Sequence, residues 1–458
     1  MNSIDFVKSA RAGKINLVRN TKEVIETCRV INKEYNFFNC IDEDYSVTEA
    51  KKIAEGKKGK LYGLPISVKD CICVKDMQSR AGSRILAGYK PVFDATVIEK
   101  IKAEGGIVIG KTNQDVFGFG SFNVNVGIGE KIPKNPHDKK RATGGSSGGA
   151  AGITAILDSH IAISESTGGS IAAPASYCGV YGMTPTYGRV SRYGLLDYAN
   201  SMDKIGVIAK EIEEIALMLS VISGHDDKDS TSAKLPSEDY ASKAKSTLKI
   251  ALIKESIAEG VDKDVVSNLK SKLGKMKYDA VSLALTFKYG VQTYYLISLS
   301  EASTNLARYC GMRYGMTDEL KGDFNEYFSK VRSKSFSNEE KRRIILGTFA
   351  RMSGFRDAYY LKALKVRTKI IAEYKKHFSK YDILISPSMP NIAPYFSEIS
   401  KLSPLQNFMM DIMTAGPNLA GFPHISLPSG YSQKMPTGLL AIADHFNEKK
   451  LIEFARSL

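Results

Sequence analysis

No stretch of the 458-residue chain approaches the roughly 18 consecutive apolar residues of a membrane span. The first residues, MNSIDFVKSARAGK, lack the apolar core of a secretory signal, so a cytoplasmic protein with no membrane partner is expected. Cysteine is scarce and scattered, at positions 28, 40, 71, 73, 178 and 310. No pair of Cys-x-x-Cys clusters is present to hold zinc, and no dense spacing suggests a disulfide framework. Reduced, structural thiols are the expectation, with Cys71 and Cys73 on one face of a strand. Histidine is equally scarce, and none of the six sits in a nucleophile motif, which leaves a Ser-His-Asp triad without support.

What remains is ordinary globular composition, 43% hydrophobic and 25% charged. Lys+Arg number 64 against 49 Asp+Glu, a net charge of +15. That excess suits an acidic partner such as RNA, yet the lysines are spread along the chain and no arginine-aromatic nucleic-acid motif accompanies them.

Periodicity predicts helix over 4–35, a β-like run at LYGLPISVKD (61–70), and a helix over 94–106 capped by Asp94 and stopped by Gly105-Gly106. A buried strand follows at IVIGKTN (107–113), and helix followed by strand implies α/β layering. Further helices are expected at 149–158 and 211–223. Strands are expected at 248–255, 381–390 and 422–430, and 226–239 reads as a linker. GGIVIGKT (105–112) matches the phosphate-cradling G-x-x-x-x-G-K-[ST] pattern. Its interior is Ile107, Val108 and Ile109, which belong in a strand, and the helix precedes it. The elements run in the wrong order for a nucleotide site.

Glycine and serine concentrate instead at TGGSSGG (143–149) and STGGS (166–170). Gly168 and Gly169 let the backbone turn sharply before Ser170, so that several N–H groups point one way. Such a donor cluster suits a tetrahedral oxyanion, with the hydroxyl as nucleophile. A glycine turn capped by serine is also a common structural motif, so the segment alone does not fix the chemistry. A lysine can replace histidine as base if burial lowers its pKa, and Lys69, at the end of an apolar run, is the best placed.

GLPISVKD, DATVIEKIKAEGGIVIGKTN, GGSSGG and TGGSIAAPASYCGVYGMTPTYGRVSRYGL occur in the order and spacing of the amidase signature family, which the chain resembles densely over 61–225 and onward through its C-terminal half. The resemblance implies a single α/β domain, a mixed central β-sheet flanked by helices on both faces. It would comprise an N-terminal helical region (1–60), a signature core (61–225) and a C-terminal part with the substrate-recognition residues (240–458). It also implies a Ser–Ser–Lys triad: Ser170 as nucleophile, Ser146 as proton relay following a cis peptide bond, and Lys69 as ultimate base. The oxyanion hole would be formed by the N–H groups of Thr167, Gly168, Gly169 and Ser170. Two departures stand out. The family pattern places Asp and Arg around the nucleophile where this chain has Ser166 and Ala172. Losing both together avoids leaving one buried charge uncompensated.

Downstream, residues 293–315, 339–349, 357–371 and 407–430 resemble the branch of the A subunits of glutamyl-tRNA(Gln)/aspartyl-tRNA(Asn) amidotransferases. That branch hydrolyses glutamine and hands ammonia to a partner. The resemblance implies Arg343, beside Arg342, for the substrate α-carboxylate, Asp411 for the α-ammonium and Tyr294 for a wall or hydrogen bond. Asp411 lies among Phe408, Met409, Met410, Ile412 and Met413, where an unpaired carboxylate is costly. The implied partners are the kinase/transamidase (B) member of the complex, a small third (C) member, and Glu-tRNA(Gln) or Asp-tRNA(Asn) through the complex. No metal or nucleotide is expected in this chain, with ATP and Mg in the partner. The alternatives are a stand-alone amidase for simple amides and a catalytically decayed scaffold subunit.

Overall fold

The computed structural model describes residues 1–242 and 247–458. Residues 243–246, near the head of the expected C-terminal part, lie outside the described residues. Eleven strands form one sheet: β1 (Phe38–Ile41), β2 (Pro65–Lys69), β3 (Ile107–Thr112), β4 (Ile161–Ser166), β5 (Tyr181–Thr184), β6 (Lys204–Ala209), β7 (Ile250–Ile253), β8 (Asp279–Val281), β9 (Ile383–Pro387), β10 (His424–Ser432) and β11 (Met435–Ala443). Their order is β1-β3-β2-β4-β6-β5-β10-β11-β9-β7-β8. β2 runs parallel to both β3 and β4, and β7 parallel to both β8 and β9, while the remaining pairs are antiparallel. The sheet is mixed and helices flank it, as expected.

The central strands read as continuous apolar runs because both of their faces are covered. In β4, Ile161 and Ile163 belong to the main core. Ala162 points the other way, into a cluster of small residues with Ala150, Ala151, Ile171, Ala175 and Ile208. Two helices supply that second cluster, Gly148–Ile156 and Ala172–Cys178. Their small side chains set how closely they approach the sheet. A Cβ on Gly152 would lie 2.2 Å from the Phe37 ring, so glycine is required there.

The predicted helices appear at Ser3–Arg11, Leu17–Tyr35, Thr96–Ala103, Gly148–Ile156 and Ile212–Ile222. Lys111 and Thr112 lie inside β3 with the helix before them, which disposes of the phosphate-loop match. Three local expectations are corrected. Asp94 is not the N-cap; the cap is Ala95, and the Asp94 carboxylate accepts from Lys75 N (2.8 Å) and pairs with Lys102 (2.6 Å). Cys71 and Cys73 lie in the turn after β2, not in a strand. Residues 226–239 are no free linker: Asp226 accepts from Thr96 (2.6 Å) and Ser191 (2.5 Å), and Asp229 from Arg192 N (2.8 Å). Polar residues that look solvent-directed in sequence here fasten the segment by side-chain hydrogen bonds. Among the described residues, no helix is long and apolar enough to cross a membrane.

Candidate active site

The C-terminal ends of the parallel strands β2 and β4 carry the reactive groups side by side, with Val68 in register with Ile163. Lys69 ends β2 with no solvent exposure. Its Nζ donates to Ser146 Oγ at 2.7 Å, to the Glu165 carbonyl at 2.9 Å and to Glu165 Oε2 at 2.8 Å. Ser146 precedes the helix Gly148–Ile156, and the Gly145–Ser146 peptide bond is cis. β4 runs into the 167–170 turn, and Ser170, 5% exposed, sits just before the helix Ala172–Cys178. The Ser147 N–H donates to the Ser170 carbonyl at 3.2 Å, which ties the two serine loops together. Lysine, relay serine and candidate nucleophile therefore converge, although they are far apart in sequence.

The glycines of the turn are explained by what lies against them. A Cβ on Gly168 would fall 2.7 Å from the Tyr294 hydroxyl, and one on Gly169 would fall 2.6 Å from Thr414 Oγ1 and 3.3 Å from Asp411 Oδ1. The same close approach brings the residues expected to hold substrate up to the turn expected to stabilise an oxyanion. Tyr294 comes from the long helix Ala284–Asn305, and Asp411 from a single 3-10 turn, Met410–Ile412.

A cavity of about 400 Å³ is lined by Ser121 and Tyr295, which both hydrogen-bond Asp411, and by Glu339, Arg343, Phe396 and Phe408 among others. That volume suits a small polar ligand. Arg343 and Arg342 both reach it, but they differ in burial. Arg342 is 44% exposed, whereas Arg343 is 3% exposed and boxed by the rings of Phe119, Tyr198, Tyr295 and Phe408 at 4.7 to 5.9 Å. Arg343 Nε donates to Glu339 at 2.8 Å and Nη1 to the Tyr198 hydroxyl, while Nη2 donates to none of the described residues. Asp411 is buried; its Oδ1 accepts from Ser121 at 3.1 Å and its Oδ2 from Tyr295 at 2.6 Å. Among the described residues it forms no ion pair, and burial pushes its pKa above the ordinary carboxylate range.

Sequence reasoning missed several members of this site. Tyr295, the neighbour of Tyr294, holds Asp411 and stacks on Phe408 at 3.9 Å. Asp115, held by the N–H groups of Asn123 and Asn125, donates its own N–H to the Ser146 carbonyl; burial first of all pushes its carboxyl up to about 6. The chain just after residue 121 wraps this carboxylate through the Asn123 and Asn125 N–H groups. Glu165 was missed as well, though it is the sole charge in the run IAISES. Glu165 Oε2 pairs with Lys69 at 2.8 Å. Ser166 itself donates to the Gly168 carbonyl at 2.9 Å. Across the ladder from Ser166 stands Lys204, fully buried, with Nζ donating to the Met202 and Asn418 carbonyls. Two histidines, His160 and His424, are buried, and desolvation pushes each down to about 3, so both are neutral and structural.

A model of the Amidase family matches residues 19–452. The chain is 42% identical over 436 residues to the A subunit of a glutamyl-tRNA(Gln) amidotransferase of Archaeoglobus fulgidus, covering 93% of each chain. It is 43% identical over 440 residues to the glutamyl-tRNA(Gln) amidotransferase A subunit numbered 2 of Clostridium acetobutylicum, covering 93% of this chain and 91% of that one. The crystal structure of the glutamyl-tRNA(Gln) amidotransferase A subunit from Thermotoga maritima matches with a TM-score of 0.83 at 34% identity, over 100% of this chain and 94% of the other. A peptide amidase from Stenotrophomonas maltophilia shares the fold, with a TM-score of 0.81 at 23% identity over 99% of this chain and 95% of its own. A family match over nearly the whole length, with amidotransferase A subunits above 40% identity along it, shows that the chain belongs to the amidase family.

Proposed function

We propose that the chain is the glutaminase subunit of a tRNA-dependent amidotransferase. Ser170 attacks the side-chain amide carbon of L-glutamine; its proton passes to Ser146 Oγ, and the Ser146 proton passes to Lys69. The N–H groups of Thr167, Gly168, Gly169 and Ser170 hold the oxyanion. The tetrahedral adduct collapses, the proton returns to the leaving nitrogen as ammonia departs, and water then hydrolyses the γ-glutamyl ester on Ser170. The ammonia goes to a partner kinase/transamidase that uses ATP and Mg to convert Glu-tRNA(Gln), Asp-tRNA(Asn) or both. A small third protein joins the pair, and the setting is cytoplasmic.

One observation carries the choice of glutamine. Among the described residues, a guanidinium whose Nη2 has no acceptor and a buried carboxylate without an ion pair meet at Tyr295, the carboxylate lying against Gly169 of the Ser170 turn. Buried opposite charges left with open positions suit a ligand that brings an α-carboxylate and an α-ammonium of its own. A simple amide has nothing to offer either group. A substrate panel tests the reading: glutamine turns over in preference to acetamide-like, propionamide-like and aromatic amides. Preference for the uncharged amides contradicts it and favours a stand-alone amidase.

A further inference from the structure

Behind Lys69 lies a group of buried side chains that the triad does not use. Glu165 Oε2 accepts from Lys69, and its other oxygen, Oε1, lies 2.7 Å from the Thr167 hydroxyl. The same hydroxyl lies 2.7 Å from Asp203 Oδ1. Asp203 is held in turn by the N–H groups of Tyr198 and Ala199, at 2.9 to 3.0 Å. Lys69 and Asp203 have no solvent exposure, Thr167 has 1% and Glu165 3%. Gly118 closes the remaining side: a Cβ there would stand 3.4 Å from Glu165 Oε2 and 3.6 Å from Ser146 Oγ.

Counting hydrogens decides the charge state. Thr167 carries one hydroxyl hydrogen and lies at bonding distance from two carboxyl oxygens, so one of those carboxyls must itself supply a proton. Asp203 is the one. Burial, followed by the nearby Glu165 carboxylate, pushes it well above the ordinary carboxylate range. The chain of donors is therefore Asp203 to Thr167 to Glu165, and Glu165 keeps the single negative charge facing Lys69.

That charge creates a chemical problem for the triad. An ammonium with three acceptors in place is not a base, and Lys69 is fully buried. We propose that Glu165 is the positioning partner of Lys69: an Nζ–H bond breaks as an O–H bond forms at Glu165 Oε2, leaving the amine free to take the proton of Ser146, while Asp203 and Thr167 hold Glu165 in place. No net charge appears in the step. The proton returns from Glu165 to Lys69 once the Ser146 proton has been passed on to the leaving ammonia. The other titratable groups facing the pair are Cys71 from the turn after β2, Asp115 from the segment after β3, and Lys204 beside Asp203 in β6. None of these three is hydrogen-bonded to the Glu165 side chain.

The inference rests on the Ser170 nucleophile proposed above, and its test separates the two. The rate at which an alkyl fluorophosphonate labels Ser170, read by peptide mass, is followed across pH for the chain with its co-purifying partners. In the wild type the acid limb lies below neutrality, because the base is a lysine–carboxylate pair. In Glu165→Gln the amine must lose its proton to solvent before it can act, so the limb moves up in pH. Labelling near pH 6 then falls roughly 100-fold and recovers to within about tenfold of wild type near pH 10. An equal loss at every pH, or an unmoved limb, overturns the proposal alone. Should the variant not fold, the wild-type limb decides, since a limb above neutrality overturns it. No labelling of wild-type Ser170 at any pH removes the nucleophile, and this inference with it.

Discussion

Asp411 and Arg343 do their work through burial. Asp411 keeps two hydrogen bonds and, among the described residues, no ion pair, so under the proposed reading a ligand ammonium would be its ionic partner. Asp411→Asn keeps the shape and removes the charge. The expected outcome is a rise of roughly 30- to 150-fold in KM for glutamine, matching about 2–3 kcal/mol for a buried charge contact, with a smaller effect on kcat. A kcat loss with unchanged KM would place Asp411 in the chemistry instead. Lys204 makes a second prediction. Burial pushes it down to about 7 from an ordinary value of 10.5. Between those values the unfolded chain holds a proton that the folded chain does not, so this residue makes stability rise with pH from about 7 to about 10.5 and costs the fold most below about 7. Lys204→Met is therefore expected to raise Tm at pH 7 by more than at pH 10; equal shifts would mean that the lysine is paired. Lys69, Ser146 and Ser170 were singled out through the family resemblance, which the glycine-serine segments carry; those segments alone did not fix their roles. Glu165 and Asp203 were not, since a hydrogen-bonded buried carboxylate looks in sequence like any surface acid, and Thr167 was read for its N–H alone and not for the hydroxyl that links the two.

The helices that carry the serine loops are made of residues too small to fill a core, and their role is close approach. Gly152 in the helix Gly148–Ile156 faces the Phe37 ring so closely that even a methyl group requires a shift. Gly152→Ala is expected to destabilise the fold by about 1–3 kcal/mol through overpacking, read as a lower urea midpoint. Gly13, where a Cβ meets nothing within 4 Å, has φ +74, and its replacement tests backbone strain alone. Ile212–Ile222, an element with a clean period, was predicted nearly to its ends, while the helical expectation over 4–35 did not place the break between Ser3–Arg11 and Leu17–Tyr35. Elements made by tertiary packing were not. The 3-10 turn holding Asp411 has no period to read, and the fastening of 226–239 depends on Ser191 and Thr96, distant or hidden partners in the sequence.

Across the whole molecule, one sheet gathers the site from separate parts of the chain. Lys69 and Glu165 arrive on the neighbouring parallel strands β2 and β4, Asp203 just before β6, and Arg343 and Asp411 from C-terminal helical segments packed beside them. Strand order was not legible, because it is set by pairings between residues far apart in the chain. The family resemblance, carried by the glycine-serine motifs, stood in for that missing information. The net charge of +15 adds nothing to the chemistry proposed for Ser170; it permits an acidic partner without specifying one.

The central claim is that this site releases ammonia from glutamine through Ser170. The direct measurement is ammonia release from L-glutamine by the chain purified with its co-purifying partners, with tRNA and ATP present, beside the Ser170→Ala form. The account predicts release by the wild type and a loss of at least about 1,000-fold in the variant. Release that survives in Ser170→Ala would contradict the nucleophile, and silence in both would contradict glutamine as the substrate.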